Sequence, residues 1–181
     1  MYNRPIVPDN FLVPEEYKTS NFVLKPLSIH HLVRDYEAVM SSVEHLKGLM
    51  DDSGWPEGLT IKENLIDLGW HEREFTLRHS FAYTVLSLNE TMCLGCCYIY
   101  PDDNSIDKIN AFYWIREEYL KDGYEDELGS VFRKWLENDI NAVILLENDF
   151  LLHQVFHLFL NFEKVWSLFL LRCPPSMFYE L

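Results

Sequence analysis

The sequence predicts a mixed α/β domain in which one mostly antiparallel sheet carries helices on both faces. Three observations predict this class. Alternating strands follow one another in the middle of the chain, two amphipathic helical stretches precede them, and short apolar runs alternate with a helical one after them. Three strands in a meander followed by strand–helix crossovers imply a single mixed sheet.

The length and composition agree with one domain that spans residues 1–181. The 181 residues are 48% hydrophobic and 15% aromatic, which is ample for a single core. Three prolines fall within residues 1–20, so we expect an extended arm on the surface there.

The charge balance limits the kinds of partner. The 29 acidic residues exceed the 15 basic ones and give a formal net charge of −14, which argues against nucleic acid and against an anionic membrane surface. A cationic or amine-bearing substrate fits this charge better. We see no basic segment leading into an apolar run at the start and no apolar stretch of about 20 residues, so we expect a cytoplasmic protein with reduced cysteines.

The first third of the chain predicts a strand and two helices. Residues 21–27 form a short strand in which Pro26 marks an edge or an end. Ser28 can cap a helix whose apolar residues recur at helical spacing until Gly48: Leu32, Tyr36, Val39, Met40, Val43 and Leu46. Thr60 and Glu63 form a capping box that begins a second helix, which runs toward Ser80 with Gly69 in its middle.

The middle of the chain predicts a hairpin, a third strand and a helix. Residues 81–88 alternate, Asn89 and Glu90 form the turn, and residues 93–100 are apolar on both faces. Residues 111–115 form the next strand, and a Gly-containing loop then leads to a helix. The apolar face of that helix carries Leu128, Val131, Phe132, Trp135 and Leu136.

The last part of the chain predicts two further strands around an apolar helix. Residues 142–146 form a compact apolar run that is typical of a buried parallel strand. Residues 149–161 form the helix, and residues 164–171 form the last long strand before Pro174 and Pro175.

Several short motifs carry a resemblance to a known family. The segments are WP at residues 55–56, T-x-x-EN from Thr60, WHxxEF from Trp70, SFAYTV from Ser80, CLGC from Cys93 and YWIR from Tyr113. Together they resemble a bacterial subgroup of the GNAT N-acetyltransferase superfamily over about residues 10–137. The resemblance implies the GNAT, or acyl-CoA N-acyltransferase, fold. It also implies an enzyme that transfers an acetyl group from acetyl-CoA to an amine, either a small molecule or an amino group of a larger substrate.

The resemblance also implies where acetyl-CoA would bind. A backbone N–H near Trp114, Ile115 or Arg116 would polarise the thioester carbonyl. The loop with Lys121, Gly123 and Tyr124 would hold the diphosphate on backbone N–H groups. Departures from the family pattern weaken this expectation: the second glycine of the loop is missing, and the acidic residues 125–127 would repel a diphosphate.

Candidate catalytic residues come from both kinds of reasoning. His71 and Glu74 lie at i, i+3 on one helix face, so the carboxylate could orient the imidazole and raise its basicity; a helix-to-sheet hydrogen bond is the structural alternative. Trp55 and Trp70 could line an amine pocket by cation–π contact. By resemblance, His157 occupies the position of the tyrosine that protonates the leaving thiolate, although an ordinary surface histidine explains it as well.

The sequence predicts no metal site. His153 and His157 are spaced i, i+4 but have no evident third ligand. Cys93 and Cys96 form a C-x-x-C within a strand, where we expect them to face opposite ways and to be buried as small hydrophobic residues.

Two functions besides catalysis remain open. The first is a binding or regulatory module that kept the fold and lost the cofactor loop, as the acidic residues 125–127 indicate. The second is a structural partner that pairs through its arm and its apolar last strand, which leaves a homodimer open.

Overall fold

A computed structural model of the chain describes residues 4–47, 49, 54–102 and 109–139, all of which lie within the unit Met1–Leu145. The predicted elements at residues 142–146, 149–161 and 164–171 lie outside the described residues, as do His153 and His157. In the part of the chain that is described, no helix is both long enough and apolar enough to cross a bilayer.

Within the described residues, five strands form one antiparallel sheet in chain order. They are β1 (Tyr17–Lys18), β2 (Phe22–Pro26), β3 (Phe81–Ser87), β4 (Cys93–Pro101) and β5 (Ile109–Ile115). The predicted hairpin and third strand are therefore confirmed, and β5 begins two residues earlier than expected. Pro26 ends β2, and the two-residue strand β1 pairs with the other side of β2.

The part of the chain that the structure describes also contains four α-helices and two short 3-10 helices. The α-helices are α1 (Leu32–Met40), α2 (Val43–Leu46), α3 (Ile61–Thr76) and α4 (Tyr124–Asp139), and the 3-10 helices are Ile29–His31 and Glu117–Asp122. The single helix predicted over residues 32–46 is divided at Ser41 and Ser42. The buried Ser42 hydroxyl accepts a hydrogen bond from the Glu117 N–H at 3.1 Å, so the break in the helix contributes a contact to the segment after β5.

Helix α3 begins where its capping box predicts. The Thr60 hydroxyl accepts the Glu63 N–H at 3.3 Å, and the Glu63 carboxylate accepts the Thr60 N–H at 2.8 Å. The helix ends at Thr76, earlier than expected, because Arg78 adopts a left-handed conformation with φ of 63°. The His79 N–H then donates to the Glu74 carbonyl at 3.0 Å, which closes a Schellman-type end.

The two faces of the sheet pack on different helices. One face carries Ala82, Cys96, Tyr98 and Trp114, which pack in one core with residues of α1 and α3, namely Ala38, Val39 and Leu68. On the other face, Tyr83 contacts Trp135 of α4 with ring centroids 4.8 Å apart, and Tyr113 lies 6.3 Å from Phe132. Helices on both faces are therefore confirmed.

The N-terminal arm is fastened to the start of β3. The Arg78 guanidinium donates to the carbonyl oxygens of Pro8 and Phe11 at 2.6 and 2.8 Å, and the Tyr83 hydroxyl donates to the Pro14 carbonyl at 2.8 Å. Arm residues thus contact the region around residues 78–83, about seventy positions further along the chain.

The expectation that Cys93 and Cys96 face opposite ways is wrong. Val85 pairs with Gly95, but the next residue of β3, Leu86, pairs with Cys93, so β4 contains a bulge of one residue. The extra residue reverses the alternation and places both thiols on the face of β4 that packs on α1. The Thr84 hydroxyl, whose residue pairs with Cys96, accordingly lies 3.4 Å from the Cys93 sulfur.

Candidate functional site

The end of β5 presents backbone groups on its outer side. The Arg116 N–H donates to the Leu94 carbonyl of β4 at 2.8 Å. In an antiparallel ladder alternate residues bond to the same neighbour, so Trp114 also bonds toward β4 and Ile115 directs its N–H to the opposite side. Of the three residues proposed as carbonyl donors, Ile115 is the one whose N–H does not bond to β4.

The Arg116 side chain is engaged in ion pairs within the protein. It is buried, its Nε lies 3.1 Å from Glu118 and its Nη2 lies 3.5 Å from Glu37 of α1. The backbone and side chain of Arg116 therefore hold the segment after β5 against β4 and α1. The Arg116 N–H, one of the three predicted carbonyl donors, is therefore already bonded to Leu94.

A short 3-10 helix and one glycine connect β5 to α4. Gly123 has a φ of 78°, a left-handed conformation that favours glycine, and its carbonyl accepts the Glu127 N–H at 3.1 Å. The three N–H groups before Glu127, those of residues 124–126, have no acceptor within the helix, because a helix leaves its first N–H groups free. Lys121, two residues before Gly123, is exposed. Lys121, Gly123 and Tyr124 thus form a helix start that suits an anion in its backbone geometry.

Three acids oppose this suitability by their charge. Glu125, Asp126 and Glu127 occupy the first turn of α4. The Glu127 carboxylate is bonded to the segment before β2, because it accepts a hydrogen bond from the Asn21 amide at 2.7 Å. Burial and then the Glu125 carboxylate raise the pKa of Tyr113 to about 12, so the negative field of this turn reaches the side chains of β5.

An aromatic face lies between α3 and the sheet. We use this name for Trp70, His71, Tyr98, Tyr100 and Phe112. Tyr98 stacks on Phe112 with centroids 4.7 Å apart, His71 lies 5.3 Å from Tyr98, and Trp70 lies 6.4 Å from Tyr100. Tyr98 and His71 are buried, whereas the other three are half-buried. The Trp114 indole donates to the Tyr98 hydroxyl at 3.5 Å, which connects the aromatic face to the end of β5.

Comparison with known proteins finds relatives among solved structures only. No protein-family model matches the chain, and no curated protein matches it. A microcin C7 self-immunity acetyltransferase, MccE, solved with acetyl-CoA and AMP, matches 75% of this chain and 73% of its own with 13% identity and a TM-score of 0.53. RimL, a ribosomal-protein alpha-N-acetyltransferase solved with coenzyme A, matches 65% of this chain and 64% of its own with 13% identity and a TM-score of 0.53. A GNAT-family acetyltransferase from Bacillus anthracis matches 69% and 68%, with 12% identity and a TM-score of 0.51.

This chain has the GNAT acetyltransferase fold. At identities of 12 to 13%, this likeness establishes the architecture alone. In this GNAT fold, β5 is the strand that leads through the 3-10 helix Glu117–Asp122 to Gly123 and the start of α4.

Within this GNAT fold, the expected His71–Glu74 pair is not formed. The buried Glu74 carboxylate contacts the Arg73 guanidinium and the His79 ring, whose Nδ1 lies 3.1 Å away. His71 instead lies with its Nε2 3.6 Å from Asp67, and its Nδ1 is buried without a hydrogen-bond partner. The i, i+3 spacing is compatible with a pair. The turn at Arg78, however, brings His79 next to Glu74, and the Glu74 carboxylate contacts His79 instead of His71.

Sequence reasoning missed a buried polar network on the sheet face under α1. The Asp35 carboxylate accepts hydrogen bonds from the Asn64 amide at 2.9 Å and from the Cys96 thiol at 3.4 Å. All three residues are buried. One signal was available, because Asp35 falls between Leu32 and Val39 at i+3 and i−4, within the apolar stripe of α1.

Proposed function

We propose that this protein is an acetyl-CoA-dependent N-acetyltransferase that acts on an amine. The observation that carries the proposal is the segment from Ile115 to Asp126. It directs one N–H outward at the end of β5 and then, after Gly123, three more at the start of α4. Donors so arranged suit a ligand that carries a carbonyl at one end and an anionic group further along, as acetyl-CoA does.

The chemistry follows from these donors. The amine nitrogen attacks the thioester carbonyl carbon, the C–N bond forms, and negative charge develops on the carbonyl oxygen. The Ile115 N–H would stabilise that charge. The C–S bond then breaks, the amine proton passes to a base, and the coenzyme leaves as a thiolate that takes up a proton.

His71 is our candidate for the base. Its Nε2 faces Asp67 at 3.6 Å, so a proton on Nε2 leaves Nδ1 as the basic nitrogen. That Nδ1 is the one without a hydrogen-bond partner. Asp67 therefore replaces Glu74 as the proposed orienting carboxylate. His157 remains the predicted acid for the leaving thiolate, on resemblance alone.

The acceptor that we propose is a cationic amine, free or on a larger substrate. The aromatic face beside His71 offers ring faces to which an ammonium group is attracted before it loses its proton. The net charge of −14 favours the approach of such a substrate. RimL acts on a ribosomal protein, and a protein amino group is accordingly one acceptor to test.

A second candidate function is a binding module that does not use the coenzyme. The specific observation in its favour is the acidic first turn of α4, which places Glu125 and Asp126 two and three residues after Gly123, where their charges disfavour an anion. Acetyl-CoA affinity separates the two functions.

The first experiment is isothermal titration of the protein with acetyl-CoA and with free coenzyme A at low ionic strength. A dissociation constant of about 1 to 100 μM supports the enzyme and justifies a screen of amines for thiol release. No heat of binding up to about 1 mM contradicts the proposal and favours the module.

A matched pair of variants then tests the carbonyl donor. Ile115→Pro removes the N–H that faces away from β4, where proline is best tolerated in a strand. Turnover should fall by about 10²- to 10³-fold while acetyl-CoA affinity is kept. Ala111→Pro, four residues earlier with the same orientation in the ladder, makes the same backbone change away from the site and should keep turnover. Equal losses in both variants would refute the role of Ile115.

A further inference from the structure

Two thiols and one carboxylate meet in the core of the protein beneath α1. The Sγ atoms of Cys93 and Cys96 and a carboxylate oxygen of Asp35 all lie within 4.8 Å of one another. Cys93 and Cys96 are fully buried and Asp35 is 4% exposed. We call these three residues the thiol–carboxylate cluster.

The bulge in β4 is what brings the cluster together. In a regular strand, residues three apart face opposite sides, and only one of the two cysteines could approach α1. The bulge restores Cys93 to the face of Cys96, with the Thr84 hydroxyl 3.4 Å from the Cys93 sulfur. Cys97 faces the other side of the sheet, since it pairs with Tyr83 and Tyr113.

The carboxylate is held as metal ligands usually are. The Asn64 amide donates to Asp35 Oδ2 at 2.9 Å and leaves Oδ1 directed to Cys96. A ligand oriented by a second polar group is a recurrent feature of metal sites. Within the described ranges no lysine or arginine forms an ion pair with Asp35. A cation would compensate this buried acid.

We propose that Asp35, Cys93 and Cys96 bind a thiophilic divalent cation, Zn²⁺ or an ion of similar preference. The distance between Cys96 Sγ and Asp35 Oδ1 is 3.4 Å. A tetrahedral zinc ion with Zn–S of about 2.3 Å and Zn–O of about 2.0 Å spans about 3.5 Å between such atoms. The carboxylate is a hard ligand that zinc also accepts, and the two soft thiolates favour zinc over magnesium or calcium.

Binding releases two protons and leaves one negative charge in the cluster. Each thiol gives up its proton, and the Zn–S and Zn–O bonds replace the hydrogen bonds from Cys96 to Asp35 and from Cys93 to the Gly95 carbonyl at 3.4 Å. The ligands come from α1 and β4, so the ion would bond these two elements directly. This proposal does not depend on acetyl transfer.

The test uses Co²⁺ as a spectroscopic substitute for Zn²⁺. The full chain is refolded from denaturant under a metal-free reductant, with and without Co²⁺, because the cluster is buried. The expected result is a thiolate-to-cobalt charge-transfer band that saturates at one ion per chain and that Zn²⁺ abolishes. Absence of the band in the wild-type protein overturns the proposal.

Three variants locate the ion. Cys96→Ser and Asp35→Asn should each weaken Co²⁺ binding by about 10-fold or more. Cys97→Ser removes a neighbouring buried thiol of the other face and should keep the band. A band that survives Cys96→Ser, or that depends on Cys97, overturns the proposal. If Cys96→Ser does not fold, Cys93→Ser takes its place, and the wild-type titration remains decisive.

Discussion

Gly95 faces the carbonyl oxygen of Trp114 across the β4–β5 ladder so closely that a Cβ atom on residue 95 would overlap it. The same Cβ would lie 3.0 Å from the Ile115 Cα, and both of these neighbours are backbone atoms that cannot rotate away. A glycine at this position therefore lets β4 approach the end of β5, where Ile115, the proposed carbonyl donor, lies.

Gly95→Ala should destabilise the protein by about 1 to 3 kcal/mol, because the added methyl group must separate two paired strands. Urea unfolding measures the change. An effect within about 0.3 kcal/mol would mean that the ladder tolerates a side chain there.

Gly69→Ala should instead stabilise the protein. Gly69 lies inside α3, and its added Cβ would meet the Ile29 Cγ2 atom at an ordinary 3.8 Å. Alanine is a better helix former than glycine by about 1 kcal/mol, so the free energy of unfolding should rise by about 0.5 to 1 kcal/mol. The two glycine variants add the same atom and serve as controls for each other. A loss of stability in Gly69→Ala would contradict the observed packing of Ile29.

Asp35 should make stability depend on pH. Burial raises the pKa of its carboxyl group, although hydrogen bonds from Asn64 and Cys96 oppose the shift. The folded chain thus binds this proton more tightly than the unfolded chain does. The stabilising contribution is complete below about pH 4 and is lost as pH rises through the raised pKa, by at most about 1.4 kcal/mol per pH unit.

The measurement compares the wild-type protein with Asp35→Asn from pH 4 to 7, in the presence of a chelator. The wild-type protein should lose stability relative to the variant as pH increases. The exposed Asp122→Asn change provides the baseline for removal of one acid. Parallel curves for all three proteins would show that Asp35 has the same pKa in both states.

Neutralising the start of α4 should strengthen coenzyme binding. In Glu125→Gln with Asp126→Asn, two negative charges leave the turn that would face a diphosphate. Each contributes about 0.3 to 1 kcal/mol, so acetyl-CoA affinity should rise about 3- to 30-fold at low salt and less at high salt. Glu137→Gln removes an exposed acid about 18 Å further along the same helix and should leave affinity unchanged. Equal affinities in all variants would show that the acidic turn does not limit acetyl-CoA binding.

Variants of His71 and Glu74 should show different defects, one in turnover and the other in stability. His71→Gln should lower turnover by about 10²- to 10⁴-fold at an unchanged free energy of unfolding, because a base is lost. Glu74→Gln should instead lower the free energy of unfolding by about 1 to 3 kcal/mol, because it disturbs a buried carboxylate bonded to Arg73 and His79. Wild-type turnover in His71→Gln would assign the proton transfer to another group.

Elements governed by neighbouring residues were predictable from the sequence. The capping box of Thr60 and Glu63 begins α3 where expected, because both of its hydrogen bonds lie within four residues. The alternation of residues 81–88 likewise predicted β3. The helix over residues 32–46 was predicted as one element because its apolar spacing continues through Ser41 and Ser42, whereas the break serves a partner in the distant residue Glu117.

Features that depend on pairing across the fold were not predictable. A bulge belongs to two strands together, and β4 alone gives no sign that Cys93 changes sides. Glu74 had a plausible partner in His71 three residues earlier, and only the left-handed turn at Arg78 brings His79 into competition. The polar network of Asp35 likewise requires α1, α3 and β4 to be in place.

The attachment of the N-terminal arm has a consequence for synthesis of the chain on the ribosome. The partners of Pro8, Phe11 and Pro14 are Arg78 and Tyr83, which are translated about seventy residues later. The arm and β2 therefore stay unpaired until β3, the first strand of the hairpin, has been synthesised, because their contacts close a loop of about seventy residues. In this interval a chaperone that binds nascent chains can bind the arm and β2.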